Sequence, residues 1–226
     1  NKKVQLPQDG QRAEGNPIRG PRALYYRDQT LWIALREGHS VWRLDLSSGT
    51  LHHVAGSGIK GFAGDNGAPE KAQFNGPKGI ALGPQGNVYV VDTENQAIRK
   101  IDLQTGIITT FAGTGERKPT PDGAKITGTP LNGPRAIDFA GHQMWLALRE
   151  GNAVYRLDLK KDTIHHEAGT GKKGFTGNGG PAKLATLSGP KGIAVGPGGD
   201  IYLADTESHT IRVIHKTTGT IHTLVG

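Results

Sequence analysis

The four residues Gly76-Pro77-Lys78-Gly79 decide the fold, because they return 113 positions later as Gly189-Pro190-Lys191-Gly192. The same spacing separates the members of two further pairs of segments: Leu35-Arg36-Glu37-Gly38 and Leu148-Arg149-Glu150-Gly151, and Asp92-Thr93-Glu94 and Asp205-Thr206-Glu207. Self-similarity at a fixed period indicates a repeat architecture. Since the chain has 226 residues, it consists of two super-repeats of 113 residues.

Each super-repeat divides once more. Residues 30–46 align without gaps with residues 87–103 and then with residues 143–159, and a fourth copy begins at Asp200. The sequence therefore predicts four units within a single domain that spans residues 1–226. Their approximate bounds are 1–56, 57–113, 114–169 and 170–226.

Within one unit, short apolar runs alternate with turn residues. In the second unit these runs cover residues 78–82, 88–92, 97–103 and 107–112, and segments of hairpin length separate them. Four antiparallel strands per repeat form one blade of a β-propeller. The sequence therefore predicts an all-β propeller with four blades in this chain. A glycine-rich connector of about 20 residues leads from each blade to the next.

Composition agrees with short strands and many turns. The chain contains 35 glycines and 13 prolines, and its hydrophobic fraction of 35% lies below the globular average of roughly 45–50%. No apolar run approaches the roughly 18 residues that a membrane span requires. The absence of cysteine excludes disulfides and thiolate metal sites. Because the chain begins at Asn1 and not at Met, we expect an exported form, extracellular or periplasmic, with a cytoplasmic location as the alternative.

Four segments of the second unit resemble the NHL-repeat propellers, particularly their bacterial form: residues 76–81, 87–95, 98–102 and 111–113. The fourth unit repeats the pattern through Asp205-Thr206-Glu207 and Ile211-Arg212. The resemblance implies the fold and leaves the function open, because one fold hosts many functions. Since NHL propellers usually close with six blades, it also implies three alternatives: a four-bladed ring, a fragment of a larger ring, or a ring completed by other chains.

Even and odd units differ at one pair of positions. The even units carry an aspartate and an arginine, and the odd units carry two apolar residues: Asp92 with Arg99 and Asp205 with Arg212, against Leu35 with Trp42 and Leu148 with Tyr155. Because the two members change together, we expect a cross-strand ion pair in the even blades and an apolar pair in the odd blades. We therefore predict a structural role for these residues.

Charged residues recur in all four units at two positions. A glutamate lies in each turn between the second and third strands, and a base follows the Gly-Pro that opens each inner strand: Glu37, Glu94, Glu150 and Glu207, and Arg22, Lys78, Arg135 and Lys191. In a propeller both positions lie on one face, around the mouth of the central channel. With Arg36 and Arg149 of the odd turns, these residues are the predicted ligand-binding or partner-binding site. The structural alternative is that each glutamate pairs with a neighbouring base and locks adjacent blades.

The net charge of +7 lies mainly in the connectors, which together carry +6: residues 1–20, 57–76, 114–133 and 170–189. This distribution favours an anionic partner such as an acidic protein, a polysaccharide or nucleic acid. The resemblance raises nucleic acid specifically, since some animal NHL domains bind RNA on this face. Recognition of single strands requires aromatic platforms. The connectors offer Phe62, Phe74 and Phe175, of which Phe62 and Phe175 are expected to anchor their loops.

Histidines cluster on the outermost strands: His52-His53, His165-His166 and His222. Adjacent residues of a strand point to opposite faces, so such a pair does not chelate one ion. We expect these histidines to be exposed polar residues that discourage edge pairing. No catalytic, metal-binding or cofactor-binding residue is predicted, because no catalytic motif is present.

The leading hypothesis is a non-catalytic binding or assembly module that holds a protein or an anionic ligand on the connector and glutamate-turn face. Self-association through exposed blade edges is a further expectation. The first alternative is a metal-dependent enzyme of the lactonase or lyase kind, with the glutamates around a channel metal. The second alternative is nucleic-acid binding on the basic connectors.

Overall fold

The computed structural model describes residues 5–226, and nearly all of its regular structure is β-strand. The strands, in chain order, are β1 (Gln11–Arg12), β2 (Pro21–Arg27), β3 (Thr30–Leu35), β4 (Ser40–Asp45), β5 (Thr50–Ala55), β6 (Pro77–Leu82), β7 (Val88–Asp92), β8 (Ala97–Asp102), β9 (Ile107–Gly113), β10 (Pro134–Ala140), β11 (Gln143–Leu148), β12 (Ala153–Asp158), β13 (Thr163–Ala168), β14 (Pro190–Val195), β15 (Ile201–Asp205), β16 (Thr210–Ile214) and β17 (Ile221–Val225). Helix is confined to five single 3₁₀ turns: Pro69–Lys71, Pro84–Gly86, Thr93–Asn95, Ala182–Leu184 and Thr206–Ser208. Over the described residues, no helix has the length and apolar character to cross a membrane.

The chain forms two compact units, of which unit 1 ends at Phe111 and unit 2 begins at Ala112. Unit 1 contains one sheet with the strand order β1-β5-β4-β3-β2 and one with the order β6-β7-β8-β9. Unit 2 contains the sheets β10-β11-β12-β13 and β14-β15-β16-β17. The predicted fold class, an all-β propeller of four-stranded antiparallel blades, is confirmed. The first blade gains one short strand, β1, that the sequence pattern did not indicate. The assignment of residues 1–226 to a single domain stays a prediction.

Within each unit, the faces of two blades pack against each other. In unit 1, Ala34 and Val41 of the first blade join Ile80, Val88 and Val90 of the second in one buried apolar cluster. Unit 2 repeats this arrangement with a cluster that joins β11 and β12 to β15 and β16. Middle strands covered on both faces read as nearly continuous apolar runs. This double coverage applies to β7, all of whose residues are buried, whereas Tyr202 of β15 is exposed.

Every inner strand has an irregular register directly after its opening proline. The shift lies between Pro21 and Ala23, and it recurs between residues 77 and 79, 134 and 136, and 190 and 192. The residue left out of the pairing is the base of the Gly-Pro-Lys/Arg motif in all four blades: Arg22, Lys78, Arg135 and Lys191. A β-bulge changes the direction of a side chain and often lies next to a binding site.

The connectors cover part of the outer edges of the blades. Strand β1 pairs with β5, and single bridges join Gly67 to Ile108, Lys125 to Thr163 and Pro181 to Thr220. Each bridge links a connector to the outermost strand of the following blade. An outer strand with a neighbour presents fewer unpaired backbone groups for edge-to-edge association. Self-association through blade edges stays a prediction, with less free edge than the sequence suggested.

The even blades contain the expected ion pairs. Asp92 Oδ2 lies 3.6 Å from Arg99 Nη1, and Asp205 Oδ2 lies 3.8 Å from Arg212 Nη1, with all four side chains fully buried. In the odd blades Trp42 lies in a buried apolar cluster with Leu35. The predicted exchange of an ion pair for an apolar pair is therefore present.

Both buried arginines also hold the connector against its blade. Arg99 donates to the carbonyls of Gln73 and Ala63 and to Asp65 Oδ1, the last at 2.6 Å. Its guanidinium lies 5.2 Å from the ring centre of Phe62. Arg212 lies 5.1 Å from the ring of Phe175. The two phenylalanines thus contact the guanidinium groups of their own blades, as expected for aromatic anchors.

The five outer-strand histidines are partly buried, and their predicted role in discouraging edge pairing stays a prediction. The His53 ring stacks on Trp42 with centroids 4.6 Å apart, and its Nε2 lies 2.8 Å from the carbonyl oxygen of Gly56. His166 occupies the same position beside Tyr155, with ring centroids 5.3 Å apart. These histidines pack against the third strand of their blade and contact the start of the connector.

Candidate functional site

The bulged bases and the turn glutamates come together within each unit. In unit 1, Lys78 Nζ contacts Glu94 Oε1, and Arg36 Nη1 donates to Glu37 Oε1 at 2.8 Å. The contact of Lys78 with Glu94 joins the inner strand of the second blade to its second turn, whereas Arg36 and Glu37 are neighbours in one turn. The sequence predicted these side chains at one surface, and the pairing of Lys78 with Glu94 agrees with the structural alternative of glutamate–base pairs.

Unit 2 has a larger network centred on Glu207. Arg149 donates from Nη1 to Glu150 Oε1 and from Nη2 to Glu207 Oε1, both at 2.7 Å. Lys173 Nζ lies 2.9 Å from Glu207 Oε2, and Lys191 Nζ lies 3.6 Å from Glu207 Oε1. Hydrogen bonds from Lys173 and Arg149 lower the pKa of Glu207 to about 2. Arg149 thereby ties the turn of one blade to the turn of the next within unit 2.

The backbone places each turn glutamate at a fixed point. The amide of Glu94 donates to the carbonyl of Asn75, and the amide of Glu207 donates to the carbonyl of Ser188. The buried Asp92 accepts from the amide of Asn75 at 2.7 Å, so the start of the inner strand is fixed to the end of the second strand. Burial raises the pKa of Asp92 to about 6.

Glycine is required in the Gly-Pro motif because glutamate lies directly against it. A Cβ at Gly20 would lie 1.3 Å from Glu37 Oε2, and a Cβ at Gly133 would lie 1.7 Å from Glu150 Oε2. Both glycines also have positive φ, of 57° and 73°. The motif therefore combines a glycine that admits the glutamate, a proline that opens the strand and a base in the bulge.

Unit 1 has an open cleft beside this cluster, with a volume of about 460 Å³. Arg36, His39, Lys60 and Gly76 line it, together with residues of the two glutamate turns. The amide of Gly76 donates to His39 Nδ1 at 3.2 Å. Burial, and then the charge of Lys60, lower the pKa of His39. The cleft thus presents two bases, Arg36 and Lys60, and two glutamates, Glu37 and Glu94, around the imidazole of His39.

The sequence analysis missed three residues of this surface: His39, Lys60 and Lys173. Lys60 and Lys173 are 113 positions apart, so the super-repeat contained a signal for them. His39 aligns with Asn152, which accepts from the amide of Gly189 at 3.0 Å as His39 accepts from Gly76. Because the two residue types differ, comparison of the repeats did not indicate their common role.

The predicted site residues fall into three groups. Arg36 pairs with Glu37, Lys78 pairs with Glu94, and a third group comprises Arg149, Glu150, Glu207 and Lys191. Arg22 lies exposed in the bulge of β2, and Arg135 lies half-buried in the bulge of β10. The arrangement of all these residues around one channel mouth stays a prediction.

Every turn glutamate contacts at least one arginine or lysine. Among residues 5–226, no group of three or more histidine, aspartate or glutamate side chains is placed to hold a metal ion. Each unit has more bases than glutamates at these positions, so the net charge of the predicted site residues is positive. The arrangement is suited to carboxylate or phosphate groups, which arginine and lysine bind by charge-assisted hydrogen bonds.

Comparison with known proteins gives matches in both units. A family model described as the Teneurin NHL domain matches residues 47–138, and a model described as the NHL repeat matches residues 187–214. NHL repeat-containing protein 2 of Gallus gallus is 33% identical over 212 residues, which cover 84% of this chain and 29% of that relative. The chain therefore spans less than a third of that relative's length. Because this relative is eukaryotic, the expected bacterial form stays a prediction.

Solved structures with the same fold include a streptogramin B lyase, with a TM-score of 0.58 and 16% identity over 93% of this chain and 56% of that one. An auxiliary nutrient binding protein from Bacteroides thetaiotaomicron matches with a TM-score of 0.55 and 16% identity, over 93% of this chain and 58% of that one. At these identities the likeness shows the fold alone. Together with the family matches, the bulged Gly-Pro-Lys/Arg strands and the glutamate turns identify this chain as a set of NHL repeats folded as β-propeller blades.

Proposed function

We propose that this chain is a non-catalytic binding or assembly module that holds an acidic protein segment or another anionic ligand on its connector and glutamate-turn face. The observation that carries the proposal is the charge of this face. In each unit four bases accompany two glutamates: Arg22, Arg36, Lys60 and Lys78 with Glu37 and Glu94, and Arg135, Arg149, Lys173 and Lys191 with Glu150 and Glu207. The bases outnumber the glutamates in both units, so these positions together carry a net positive charge.

Unit 2 illustrates how such a surface holds a carboxylate. Glu207 lies between Arg149 and Lys173, at 2.7 Å and 2.9 Å. Arg36 and Lys60 are the equivalents of these two bases in unit 1, and both line the open cleft. An aspartate or glutamate of a partner, entering this cleft, would meet these two bases beside Glu37 and Glu94, which also line it. Complementary charge of this kind accelerates association and selects the partner.

The family context supports a protein partner, because NHL propellers generally mediate protein interactions. One solved structure with this fold is described as an auxiliary nutrient binding protein. We keep the bacterial origin and the extracellular or periplasmic location as parts of the proposal. Because the chain covers only 29% of its chicken relative, the activity and partners of the whole protein are also part of the proposal.

The enzyme alternative has less support from the site. A channel metal would need the turn glutamates as ligands, and each of them contacts an arginine or a lysine. Positive neighbours disfavour a bound cation at a carboxylate. The nucleic-acid alternative would need aromatic platforms, and Phe62 and Phe175 are exposed while each ring also contacts a buried arginine. Nucleic acid is therefore the competing ligand in the binding test.

The test is binding of a fluorescently labelled acidic peptide, rich in aspartate and glutamate, to the full chain over a series of salt concentrations. Arg36→Gln combined with Arg149→Gln should weaken binding by at least about tenfold, because two charge-assisted contacts are lost. The control is Arg27→Gln combined with Lys161→Gln, which removes the same charge at exposed turns on the other end of the blades.

The proposal fails if the peptide does not bind, or if both double variants weaken binding equally. Single-stranded DNA of equal charge is measured in parallel. Tighter binding of DNA, with a loss in the Arg36/Arg149 double variant, would assign the same face to nucleic acid and overturn the choice of a protein partner.

A further inference from the structure

A second cleft lies in unit 2, away from the glutamate turns. It opens between the two blades of the unit, beside strand β11 and the turns that follow β14 and β16. Its volume is about 660 Å³, within the range of roughly 300–1,000 Å³ that is typical of small-molecule sites. None of its lining residues is one of the bases and glutamates of the site proposed above, and two of them, Pro181 and Lys183, belong to the connector of residues 170–189.

The floor of the cleft is apolar. Trp145, half-buried on β11, lies between the two blades with Ile201 and Ile214, and it packs against the apolar core of the unit. An indole face is a flat, rigid surface that favours planar apolar groups. The floor therefore suits a ring or another flat apolar body.

The wall beside Trp145 carries a positioned guanidinium. Arg156 is the direct cross-strand neighbour of Trp145, so both side chains lie on the same face of the sheet. Its Nε contacts Glu167 Oε1 and its Nη1 donates to Gln143 Oε1, both at 2.7 Å. A guanidinium has five N–H donors, which is more than these two contacts use. Arg156 is thus held in place by the protein while it borders the cleft.

The rim adds further positive charge. Lys183 and Lys216 are exposed lining residues, and His215 lies beside Lys216. Among the lining residues, three bases, Arg156, Lys183 and Lys216, accompany one carboxylate, Glu167. Arg156 contacts this carboxylate. A cationic rim above an aromatic floor matches a ligand with an apolar body and a negative end.

Unit 1 has the same cleft with different chemistry, and its volume is about 350 Å³. Trp32 and Arg43 occupy the positions of Trp145 and Arg156, 113 residues earlier. The positions of the three rim residues carry two acids and one apolar residue: Glu70 for Lys183, Asp102 for His215 and Leu103 for Lys216. Trp32 is buried, with 6% of its surface exposed. The cationic character is therefore a property of unit 2 and not of the repeat.

We infer that the unit 2 cleft is a binding site for a small organic anion in which a flat apolar ring carries a carboxylate. The ring lies against Trp145, and the carboxylate is held by Arg156, Lys183 and Lys216. This inference does not depend on the proposed function, since it concerns other residues and a different class of ligand.

The test uses 3-phenylpropionate as the probe, with its neutral amide, 3-phenylpropanamide, as the matched control ligand. Binding to the full chain is followed by calorimetry and by tryptophan fluorescence. The carboxylate should bind at least about tenfold more tightly than the amide, because only the carboxylate forms charge-assisted contacts. Trp145→Phe should abolish the fluorescence change.

Lys183→Glu combined with Lys216→Leu gives the unit 2 cleft two of the three rim residues of unit 1 and keeps His215. Both positions are exposed, so the substitutions should leave the melting temperature unchanged, and they should weaken 3-phenylpropionate binding by at least about tenfold. The charge-matched control is Lys161→Glu with Lys118→Leu, at exposed positions that do not line the cleft. Equal binding of the carboxylate and the amide, no binding of either ligand, or equal losses in both double variants would overturn the inference.

Discussion

The two units of this chain share a framework and differ in the polar contacts built on it. In unit 2, Arg149 joins Glu150 of the third blade to Glu207 of the fourth. In unit 1, Arg36 pairs with Glu37, and an open cleft lies between it and the turn of Glu94. The inner strands, the bulges and the glycine that admits the glutamate recur in both units. Residues 113 positions apart thus have equivalent backbone positions and different partners.

The side clefts extend this comparison. A tryptophan and an arginine lie at equivalent positions in both, while the rim is acidic and apolar in unit 1 and basic in unit 2. A repeated fold therefore fixes where a cleft forms, and a few rim residues determine the charge of the ligand that fits it. Repeat proteins can in this way carry different sites on nearly identical blades.

The buried arginines show a third difference. Arg99 has two carboxylate partners, Asp92 and Asp65, whereas Arg212 pairs with Asp205, and residue 178, which aligns with Asp65, is an asparagine. Burial lowers the pKa of Arg212 and raises that of Asp205. Removal of the arginine should therefore be costly in both even blades.

The largest expected effect is that of Arg99→Met. The variant leaves Asp92 buried without its cation and releases the connector carbonyls, so we expect a loss of about 3–5 kcal/mol in the free energy of unfolding, measured in urea. The matched control, Asp92→Leu with Arg99→Trp, introduces the apolar pair of the first blade and should recover part of the loss. A cost below about 1 kcal/mol would show that the guanidinium does not hold the connector.

A smaller effect is expected for Glu207→Gln, with a specific dependence on pH. Because the pKa of Glu207 is lowered from 4.5 to about 2, its ionised form stabilises the folded state above about pH 4.5, and this contribution is lost as the pH falls towards 2. At neutral pH the variant should lose about 1 kcal/mol, the upper range for exposed ion pairs. The difference between the variant and the unmodified chain, from urea unfolding, should shrink between about pH 4.5 and pH 2.

Asp92 acts in the opposite direction. Its raised pKa, about 6, means that its contribution is largest at low pH and decreases as the pH rises through 6. The contribution of Asp92 is the same in the unmodified chain and in Glu207→Gln. It therefore cancels in the difference between their free energies of unfolding. If the difference in the free energy of unfolding between the two proteins stays constant down to pH 2, the assigned role of Glu207 is contradicted.

The smallest effect is expected for His39→Asn, which places the residue of unit 2 in the turn of unit 1. Asparagine adopts the positive φ of 46° and can accept from the amide of Gly76, so the free energy of unfolding should change by less than about 0.5 kcal/mol. His39→Ala loses the acceptor and should cost about 1 kcal/mol or more, with both variants measured by urea unfolding. Equal costs for asparagine and alanine would show that the turns are not equivalent.

The sequence predicted the strands closely where apolar runs were continuous. In the second blade each strand begins and ends within one residue of its predicted bound. It missed β1, because two exposed residues, Gln11 and Arg12, carry no apolar pattern. The outer-strand histidines were also expected to be exposed. No local sequence pattern indicates that the ring of His53 stacks on Trp42 of the neighbouring strand.

The residues of the candidate site could be predicted from the sequence, but most of the contacts between them could not. Lys78 and Glu94 were predicted on one surface, because the repeat showed charge retained at both positions. The bridge from Arg149 to Glu207 connects residues 58 positions apart on two blades, and no local pattern indicates it. The role of His39 came from the structure alone, whereas Lys60 recurs as Lys173 in the super-repeat and was overlooked.

The sequence by itself determined the blade count, the strand order within a blade and the bases and glutamates at the turns. It did so because period-two apolar patterns, glycine and proline act on the nearest neighbours of each residue. Only the tertiary structure decided that each base lies in a bulge, that the connectors cover the outer edges and that the two side clefts differ in charge. Those features depend on which residues meet when distant segments pack, as Trp145 and Lys183 do at one cleft, and distance along the chain does not specify that.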